Sequence, residues 1–352
     1  MSGRPTLYSG RMTQPSKPSA PGHDHAMMRQ IVVETLGNPD VMQLRRVPKP
    51  EPGEGQVRIK VKAAGINFAD VLAVGGRYLT PTRLPLVPGG EFAGCIDALG
   101  PGVEGFELSQ QVAVLSGQGA LSEYAIVPVR AIIPVPDGLS AAEAAAFPIS
   151  YLTAYISLVT LGRAQAGETV LVQGAAGALG GALIQVARAL ELNVVALAST
   201  DEKLKIAADL GAQITLNSER ADLVDTVKEV TGGKGVNLLV EISGGEMVAK
   251  SLKMLANRGR LLIVGNASGQ SASLEPTALM KKNISVIGVW LTSMLGEPGL
   301  FQEALAFFGP HVAAGKIRPQ VGPRYPLEQS AQAFQDLLDR KTTGKVTIEP
   351  QR

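Results

Sequence analysis

The chain has 352 residues, of which 18% are charged and 45% hydrophobic, and its formal net charge is +2. This length supports two domains, each with its own core, and the near-neutral charge argues against nucleic acid as the main partner. The single cysteine, Cys95, excludes an internal disulfide and a cysteine-rich metal site, and it indicates a reducing cytoplasm. No apolar stretch reaches the roughly 18–20 residues that cross a bilayer.

Residues 1–27 differ in composition from the rest of the chain. They are rich in Pro, Ser, Gly and Arg and show no apolar periodicity. Such low hydrophobicity does not support a fold, and the apolar core of a secretory signal is missing. An organellar transit peptide is the alternative, although the prolines and glycines disfavour its amphipathic helix. We therefore predict a disordered leader over 1–27.

Residues 28–150 contain short strand signals separated by turns. In the segment 56–63, valine and isoleucine alternate with arginine and lysine, which is typical of a half-buried strand. Ser140 and Glu143 form a capping-box pattern at the start of an alanine-rich helix. The segment predicts a barrel-like β domain that ends in helix.

Strand and helix signals alternate from residue 168 to about residue 289, and this alternation predicts a parallel, doubly wound sheet. After it, the strand-and-helix pattern becomes irregular, with a helix over 299–308, another over 327–339 and a last strand from residue 344. The pattern thus predicts an α/β dinucleotide-binding domain over 151–289 and a separate tail.

A glycine cluster follows the first strand of this α/β region. The stretch from Val170 to Gly181 runs from an apolar strand through an A-x-G-x-x-G turn into an apolar helix. We expect Gly177 to let the backbone approach a pyrophosphate and Gly180 to let the helix pack against its strand. The helix N-terminus then offers free amides to the phosphates.

The end of the second strand indicates which dinucleotide binds. Ala198 lies 21 positions after Gly177, close to the roughly 20 at which an NAD enzyme places an acid. A small residue leaves room for a 2′-phosphate, and Ser199, Thr200 and Lys203 can bind it. Two acids directly after Thr200 count against this, and Lys203 could instead be a solvated helix residue. NADPH is favoured over NADH.

Five motifs occur in order along the chain, and together they resemble the medium-chain dehydrogenase/reductase superfamily, in its zinc-free quinone oxidoreductase (ζ-crystallin-like) branch. The motifs are Ala64–Asp70, Val87–Gly94, Tyr151–Tyr155, Ala175–Gly180, and Tyr325–Glu328 with Gly344–Val346. The resemblance implies a GroES-like β-barrel domain over 28–150, completed by 290–352, and a Rossmann domain with a doubly wound parallel sheet over 151–289.

No metal is expected in this protein. The segments that supply a cysteine and a histidine to zinc in the alcohol-dehydrogenase relatives have Asn67 and Gly90 here. Only Asp70 and Glu91 remain, whereas zinc needs three or four protein ligands. Without a Lewis acid, the resemblance implies hydride delivery from NADPH to an already activated acceptor, such as a quinone or an α,β-unsaturated carbonyl compound.

The resemblance also implies site residues. It places Asn67, Tyr78 and Thr153 near the nicotinamide, with Tyr78 at the position of the catalytic tyrosine of enoyl-thioester reductases. Tyr78 is then a proton donor or a wall of the cleft, and Asn67 a catalytic residue or a turn residue. The implied cofactor contacts are Thr153, Ala176, Gly177, Ala178, Leu179, Gly180, Ser199, Thr200, Lys203, Ser218, Gly244, Val264, Gly265, Asn266 and Lys345.

Two departures from the family keep other functions open. Leu72 and Ser218 stand where typical quinone reductases have a tyrosine and a tyrosine or histidine. One alternative is an enoyl-thioester reductase, which needs a basic patch that four arginines could form (Arg77, Arg83, Arg318 and Arg324). Another is a non-catalytic NADPH-binding protein of the crystallin type, or an RNA binder.

The β-prone run from Lys282 to Trp290 is expected to form the last strand of the nucleotide sheet. An exposed apolar strand edge is a liability unless another strand covers it. Since relatives pair this edge across a two-fold axis, we expect a homodimer.

Overall fold

The computed structural model describes residues 26–135 and 138–352. The leader predicted over 1–27 lies outside this range except for its last two residues, and the first strand begins at Met27. The chain forms a seven-stranded mixed sheet, a six-stranded parallel sheet and a two-stranded antiparallel ribbon.

The strands are β1 (Met27–Val32), β2 (Gln43–Pro48), β3 (Gln56–Ile66), β4 (Glu91–Leu99), β5 (Gln111–Leu115), β6 (Tyr124–Pro128), β7 (Ile132–Pro134), β8 (Thr169–Val172), β9 (Asn193–Ala198), β10 (Ile214–Asn217), β11 (Val236–Glu241), β12 (Leu255–Ile263), β13 (Ser285–Gly288), β14 (Val321–Pro326) and β15 (Lys345–Glu349).

The α-helices are α1 (Phe68–Val74), α2 (Ala141–Ala146), α3 (Pro148–Tyr155), α4 (Ala178–Ala189), α5 (Asp201–Asp209), α6 (Leu223–Val230), α7 (Glu246–Met254), α8 (Pro276–Lys282), α9 (Leu291–Met294), α10 (Leu300–Ala313) and α11 (Ser330–Leu338). Short 3-10 helices occur at Pro39–Val41, Val129–Ala131 and Leu327–Gln329, and a π-helical stretch at Ile156–Leu161 continues α3.

The first sheet has the order β14-β15-β3-β4-β5-β7, with β6 also paired to β3. Val57, Ile59 and Val61 of β3 are fully buried, as their alternation predicts. Arg58 lies between them and is buried too, because its guanidinium donates to Asp97 at 2.6 Å. The last strand of the chain, β15, pairs antiparallel with β3, so residues far apart in sequence complete this sheet.

The second sheet is parallel throughout and has the order β10-β9-β8-β11-β12-β13. Numbered within the sheet this is 3-2-1-4-5-6, the Rossmann order, in which the progress of the strands reverses between β8 and β11. Val170, Leu171 and Val172 of β8 are fully buried, as expected for a central strand covered by helices on both faces.

Some predicted elements differ in extent from the structure. The last strand of the nucleotide sheet, expected within the run from Lys282 to Trp290, is only four residues long, and β12 begins at Leu255, directly after α7. Leu300, Ala304 and Phe308 of α10 are buried in the same apolar cluster as α3 and α4. The chain joins the first sheet from Val321 onward, and the domain boundaries remain a prediction. Within the described residues, no helix is long and apolar enough to span a membrane.

Candidate functional site

The carboxyl ends of the parallel strands meet at one edge of the six-stranded sheet, and most residues predicted to bind a cofactor lie there. In doubly wound sheets, ligands bind at this edge, at the point where strand order reverses. The segments that follow β8, β9, β10, β11 and β12 bring the following residues to this edge: Ala176–Gly180, Ser199, Thr200, Lys203, Ser218, Gly244 and Val264–Asn266.

The glycine loop after β8 has the tight geometry of a phosphate-binding turn. Gly174 adopts a φ of +59°, and Gly177 is the N-cap of α4, so the helix amides at its start have no partner within the helix. A Cβ at Gly180 would lie 2.2 Å from the carbonyl oxygen of Gly174 and 2.7 Å from Cα of Ala175. Only glycine therefore lets α4 pack this closely on the loop.

The end of β9 presents no acid. Ala198 is buried, and its carbonyl accepts from the backbone N–H of Ser218 at 2.9 Å. Thr200 caps α5, because its hydroxyl accepts from the N–H of Lys203 at 3.3 Å. The ammonium of Lys203 donates to the carbonyl of Arg340 at 2.7 Å. The Lys203 side chain is thus bonded to backbone that lies close to the start of β15.

Beyond β11 and β12 the two chain segments lie in close contact. Gly244 has a φ of +73°, and a Cβ there would fall 1.9 Å from Oδ1 of Asn266. The N–H of Val264 donates to the carbonyl of Glu241 at 2.9 Å. The carboxylate of Glu241 accepts from the N–H of Gly244 at 3.2 Å, while burial raises the pKa of that carboxyl. The predicted contacts at 244 and 264–266 thus form one packed corner.

A buried polar network lies at the motif positions that hold zinc in the alcohol-dehydrogenase relatives. The side chains of Lys345 and Glu91 form an ion pair, and both are fully buried. Nζ of Lys345 also donates to Oδ1 of Asn67 at 2.6 Å and lies 3.3 Å from Oγ of Ser150. Nδ2 of Asn67 donates to Oε1 of Glu91 at 2.8 Å. Asn67, Glu91 and Lys345 are called the Lys345 network below.

Asp70 lies beside this network and is buried as well. Its Oδ2 accepts from the backbone N–H of Asn67 at 2.7 Å, at the start of α1. Burial raises the pKa of the Asp70 carboxyl to about 6, although the hydrogen bond from Asn67 and the charge of Lys345 act in the opposite direction. The carboxyl therefore titrates nearer to neutral pH than an exposed aspartate.

The Lys345 network joins the two sheets. Oε2 of Glu91, on β4, accepts from the N–H of Ile149 at the start of α3 at 2.7 Å. Next to Lys345, the N–H of Gly344 donates to the carbonyl of Ala176 in the glycine loop at 2.8 Å. Lys345 was predicted as a cofactor contact, but its ammonium is buried among protein groups. The sequence signal for this ion pair was the absence of metal ligands beside Glu91, because a buried carboxylate without a metal needs another cation to balance its charge.

The donor set does not suit zinc. The described residues contain no group of three or more His, Cys, Asp or Glu side chains that could hold a metal ion. At the three motif positions Asn67 offers an amide, Gly90 offers no side chain and Glu91 is paired with Lys345. A second cation beside that ammonium would be repelled, so the residues present do not fit a metal.

Tyr78 lies on the loop after α1, facing the end of the parallel sheet. Its hydroxyl oxygen accepts from Nε1 of Trp290 at 3.1 Å, and both side chains are half-buried. Trp290 follows β13, and no sequence motif assigned it to the site. Thr153 is buried on α3, where its carbonyl accepts from the hydroxyl of Ser157 at 2.7 Å.

The four arginines considered as a basic patch divide into two pairs. Arg318 is ion-paired with Glu143, and Arg324 lies 3.4 Å from a carboxylate oxygen on β15. Arg77 and Arg83 are exposed on the loop that carries Tyr78. Within the described residues neither of these two forms an ion pair.

A cavity of about 740 Å³ opens at the opposite, amino-terminal edge of the parallel sheet. Its amide side chains are already used by the fold, since Gln213 accepts from the N–H of Val194 and Asn237 from that of Thr169. Ligands of doubly wound sheets bind at the carboxyl edge, so we assign the site there despite this cavity's size.

The comparisons with known proteins agree with this assignment of class. Residues 53–137 match the family described as the alcohol dehydrogenase GroES-like domain, and residues 178–309 match the family described as zinc-binding dehydrogenase. The fold is thus the predicted combination of a GroES-like domain and a Rossmann-type parallel sheet. The second description names zinc, but Asn67 and Gly90 stand at the positions where a cysteine and a histidine would bind it.

Full-length relatives define the branch. The chain is 36% identical to quinone oxidoreductase-like protein 2 of Mus musculus over 86% of each chain. It is 43% identical to the quinone oxidoreductase of Thermus thermophilus, also solved as a complex with NADPH, covering 92% of this chain and 100% of that one with a TM-score of 0.81. CurK enoyl reductase is 26% identical, with coverages of 92% and 99% and a TM-score of 0.83. The chain therefore belongs to the medium-chain dehydrogenase/reductase superfamily, in its zinc-free quinone oxidoreductase-like branch.

Proposed function

We propose that this protein is a zinc-independent, NADPH-dependent oxidoreductase whose acceptor is a quinone or an α,β-unsaturated carbonyl compound. The observation that carries the proposal is the Lys345 network, in which an ammonium neutralises the carboxylate a metal would need. Because no Lewis acid is available to polarise a plain carbonyl, the acceptor must be electron-poor before it binds. Quinones and enones meet that requirement.

The carboxyl edge of the parallel sheet fits the proposed cofactor. The start of α4 offers amides to a pyrophosphate, and Ala198 leaves space beside the hydroxyls of Ser199 and Thr200. Lys203 reaches a 2′-phosphate by giving up its bond to Arg340. When bound, NADPH supplies a hydride, and relatives solved as NADPH complexes support its choice.

The protein's own groups position the acceptor and handle a proton. The Lys345 network fixes the amide of Asn67, and the glycine loop is tied to the same network through Gly344. Tyr78 donates a hydrogen bond or a proton to the carbonyl oxygen on which negative charge develops. Positioning in a cleft from which water is excluded supplies the remaining rate enhancement.

The test is consumption of NADPH by metal-free protein with three acceptors side by side: 9,10-phenanthrenequinone, an alkyl enone and crotonyl-CoA. Turnover of the quinone or the enone, unchanged by a chelator, is the expected result. Binding of NADPH without turnover of any acceptor would instead support the non-catalytic, crystallin-type alternative.

An enoyl thioester is the second candidate acceptor. Arg77 and Arg83 lie exposed on the same loop as Tyr78, where their guanidinium groups can bind the phosphates of a coenzyme A or pantetheine group. The likeness to CurK enoyl reductase adds to this reading. Preferential turnover of crotonyl-CoA, lost in Arg77→Ala, would shift the proposal to an enoyl-thioester reductase.

We also propose a cytoplasmic homodimer. Strand β13 is the edge of the parallel sheet, and pairing with a second copy would cover it. Met280, on the neighbouring helix α8, is 76% exposed and would be buried in the same contact. Light scattering at micromolar concentration should give twice the mass of one chain, and a monomeric mass would contradict the dimer.

The cytoplasmic location is tested by cell fractionation, in which the protein should be recovered with the cytoplasmic fraction.

A further inference from the structure

The hydrogen bond between Trp290 and Tyr78 connects the two halves of the molecule across the carboxyl edge of the parallel sheet. Tyr78 belongs to the loop after α1, and Trp290 follows the sixth parallel strand. Within the described residues, this is the one hydrogen bond between the loop 75–85 and any residue from 151 to 320. The phenol is thus held in place by the half of the molecule that carries the nucleotide fold.

The direction of this bond is fixed by chemistry. An indole nitrogen carries a hydrogen and accepts no hydrogen bond, so Nε1 of Trp290 is the donor and the Tyr78 oxygen the acceptor. The phenol's own hydrogen is therefore not used in the contact. Within the described residues, no other group bonds to this hydroxyl, so its hydrogen remains available for a molecule in the cleft.

Trp290 itself is well anchored. The N–H of the preceding Val289 donates to the carbonyl of Ile263 at 2.9 Å, which continues the parallel sheet. The carbonyl of Trp290 accepts from the hydroxyl of Ser293 at 2.8 Å, in the first turn of α9. A donor held at the end of a sheet can orient a phenol that lies on a loop.

We infer that Trp290 is a positioning residue that orients Tyr78 as a hydrogen-bond donor to the carbonyl oxygen of a conjugated acceptor. An N–H bond to the phenol oxygen polarises the O–H in the same direction, because hydrogen bonds in a chain strengthen one another. The inference rests on the proposed function. Loss of the Trp290 N–H should therefore slow the reduction of acceptors that accumulate charge on one oxygen, and it should leave NADPH binding unchanged.

The test is a double-mutant cycle with Trp290→Phe and Tyr78→Phe, which keep an aromatic side chain at each position and remove the indole N–H and the phenol oxygen. Tyr325→Phe, on β14, is the matched control. It also removes a tyrosine hydroxyl, which donates to Oδ2 of Asp336 at 2.7 Å. Trp290→Phe should lower kcat for an alkyl enone about two- to tenfold, the worth of one hydrogen bond, and leave the KM for NADPH unchanged. In the Tyr78→Phe background it should cost nothing further.

A second readout needs no turnover. Trp290 is the one tryptophan of the chain, so the tryptophan emission reports on the surroundings of this indole, including its bond to Tyr78. Tyr78→Phe removes the acceptor of the indole N–H and should shift the emission, whereas Tyr325→Phe should leave it unchanged. Unchanged emission in Tyr78→Phe would overturn the contact.

The kinetic outcomes separate this inference from the function on which it rests. Full enone activity in Trp290→Phe, or an equal loss in both backgrounds, would overturn the positioning role while leaving the reductase proposal in place. A native protein that reduces no acceptor would overturn the proposed function, and the donor role with it.

Discussion

Asn67 and Tyr78 lie eleven positions apart and were both predicted to act on the acceptor, but their surroundings differ. Oδ1 of Asn67 accepts from Lys345 at 2.6 Å and its Nδ2 donates to Glu91 at 2.8 Å. Tyr78 only accepts a bond, from Trp290, and retains its own hydrogen. The amide of Asn67 is held by charged partners at both its oxygen and its nitrogen, whereas the hydroxyl of Tyr78 keeps its one hydrogen, and this difference is why the proposal gives the donor role to Tyr78.

The two regions should also differ in what their loss costs. The ion pair of the Lys345 network, Lys345 with Glu91, is fully buried, so a change there should affect stability first. The Tyr78 side chain is half-buried on a mostly exposed loop that also carries Leu79, so a change there should affect the reaction first. The predictions below test this division.

The largest effect is expected from Tyr78→Phe. If the phenol protonates an enone, its removal should lower kcat for the enone by roughly 10²–10⁴, because charge then develops on an unassisted oxygen. With 9,10-phenanthrenequinone the loss should be small. Steady-state kinetics with both acceptors measure this, with Tyr325→Phe as the control. A small and equal loss on both would make Tyr78 a wall of the cleft.

Lys345→Met should destabilise the fold strongly. It leaves the buried Glu91 carboxylate without its cation, which typically costs about 3–5 kcal/mol in the free energy of unfolding. Denaturant titration followed by circular dichroism measures this. Adding Glu91→Gln to Lys345→Met should restore most of the loss. A loss below about 1 kcal/mol, as for an exposed pair, would show that the network is not the buried ionic centre described here.

Lys203→Ala should raise the KM for NADPH and leave that for NADH nearly unchanged. The loss of one charge-assisted bond to a 2′-phosphate is worth roughly 1.5–3 kcal/mol, or about ten- to a hundredfold in affinity. Native Lys203 gives up its bond to the carbonyl of Arg340 only when it binds the 2′-phosphate, so the measured loss for NADPH is reduced by the worth of that bond. Equal effects on the two KM values would refute the assignment, and no effect would leave Lys203 a solvated residue.

Asp70→Asn should have the smallest effect, visible in the pH dependence of stability. Burial raises the folded-state pKa of Asp70 from 3.8 to about 6. The stability contributed by the protonated carboxyl is thus fully present below the ordinary pKa and lost as pH rises through about 6, at up to about 1.4 kcal/mol per pH unit. An asparagine oxygen can still accept from Asn67. As the pH rises from about 4 to 6, the variant should therefore lose less free energy of unfolding than the native protein. Denaturant titration at several pH values measures this, and an equal pH dependence in the two proteins would contradict the raised pKa of Asp70.

Much of the fold followed from local signals in the sequence. The glycine loop, the apolar strand at 170–172 and the helix after it are encoded within about one supersecondary unit, so pattern reasoning found them. The π-helical stretch at Ile156–Leu161 and the start of β12 at Leu255, directly after α7, depend on packing against other elements, and no local pattern indicated them.

The site was harder to predict because its decisive contacts join distant residues. Lys345 and Asn67 are 278 positions apart, and Trp290 and Tyr78 are 212 positions apart. Asn67 lies in a motif, and the family resemblance pointed to Tyr78. That the first is held by a buried lysine and the second by the chain's one tryptophan depends on tertiary structure.

The central claim is that this protein transfers hydride from NADPH to a conjugated acceptor without a metal. The most direct test is mass analysis of the product formed from an alkyl enone with NADPH deuterated at the transferred position, in chelator-treated protein. The account predicts one deuterium at the β-carbon, in the same yield with and without added zinc. A product without deuterium, or turnover that requires zinc, would contradict it.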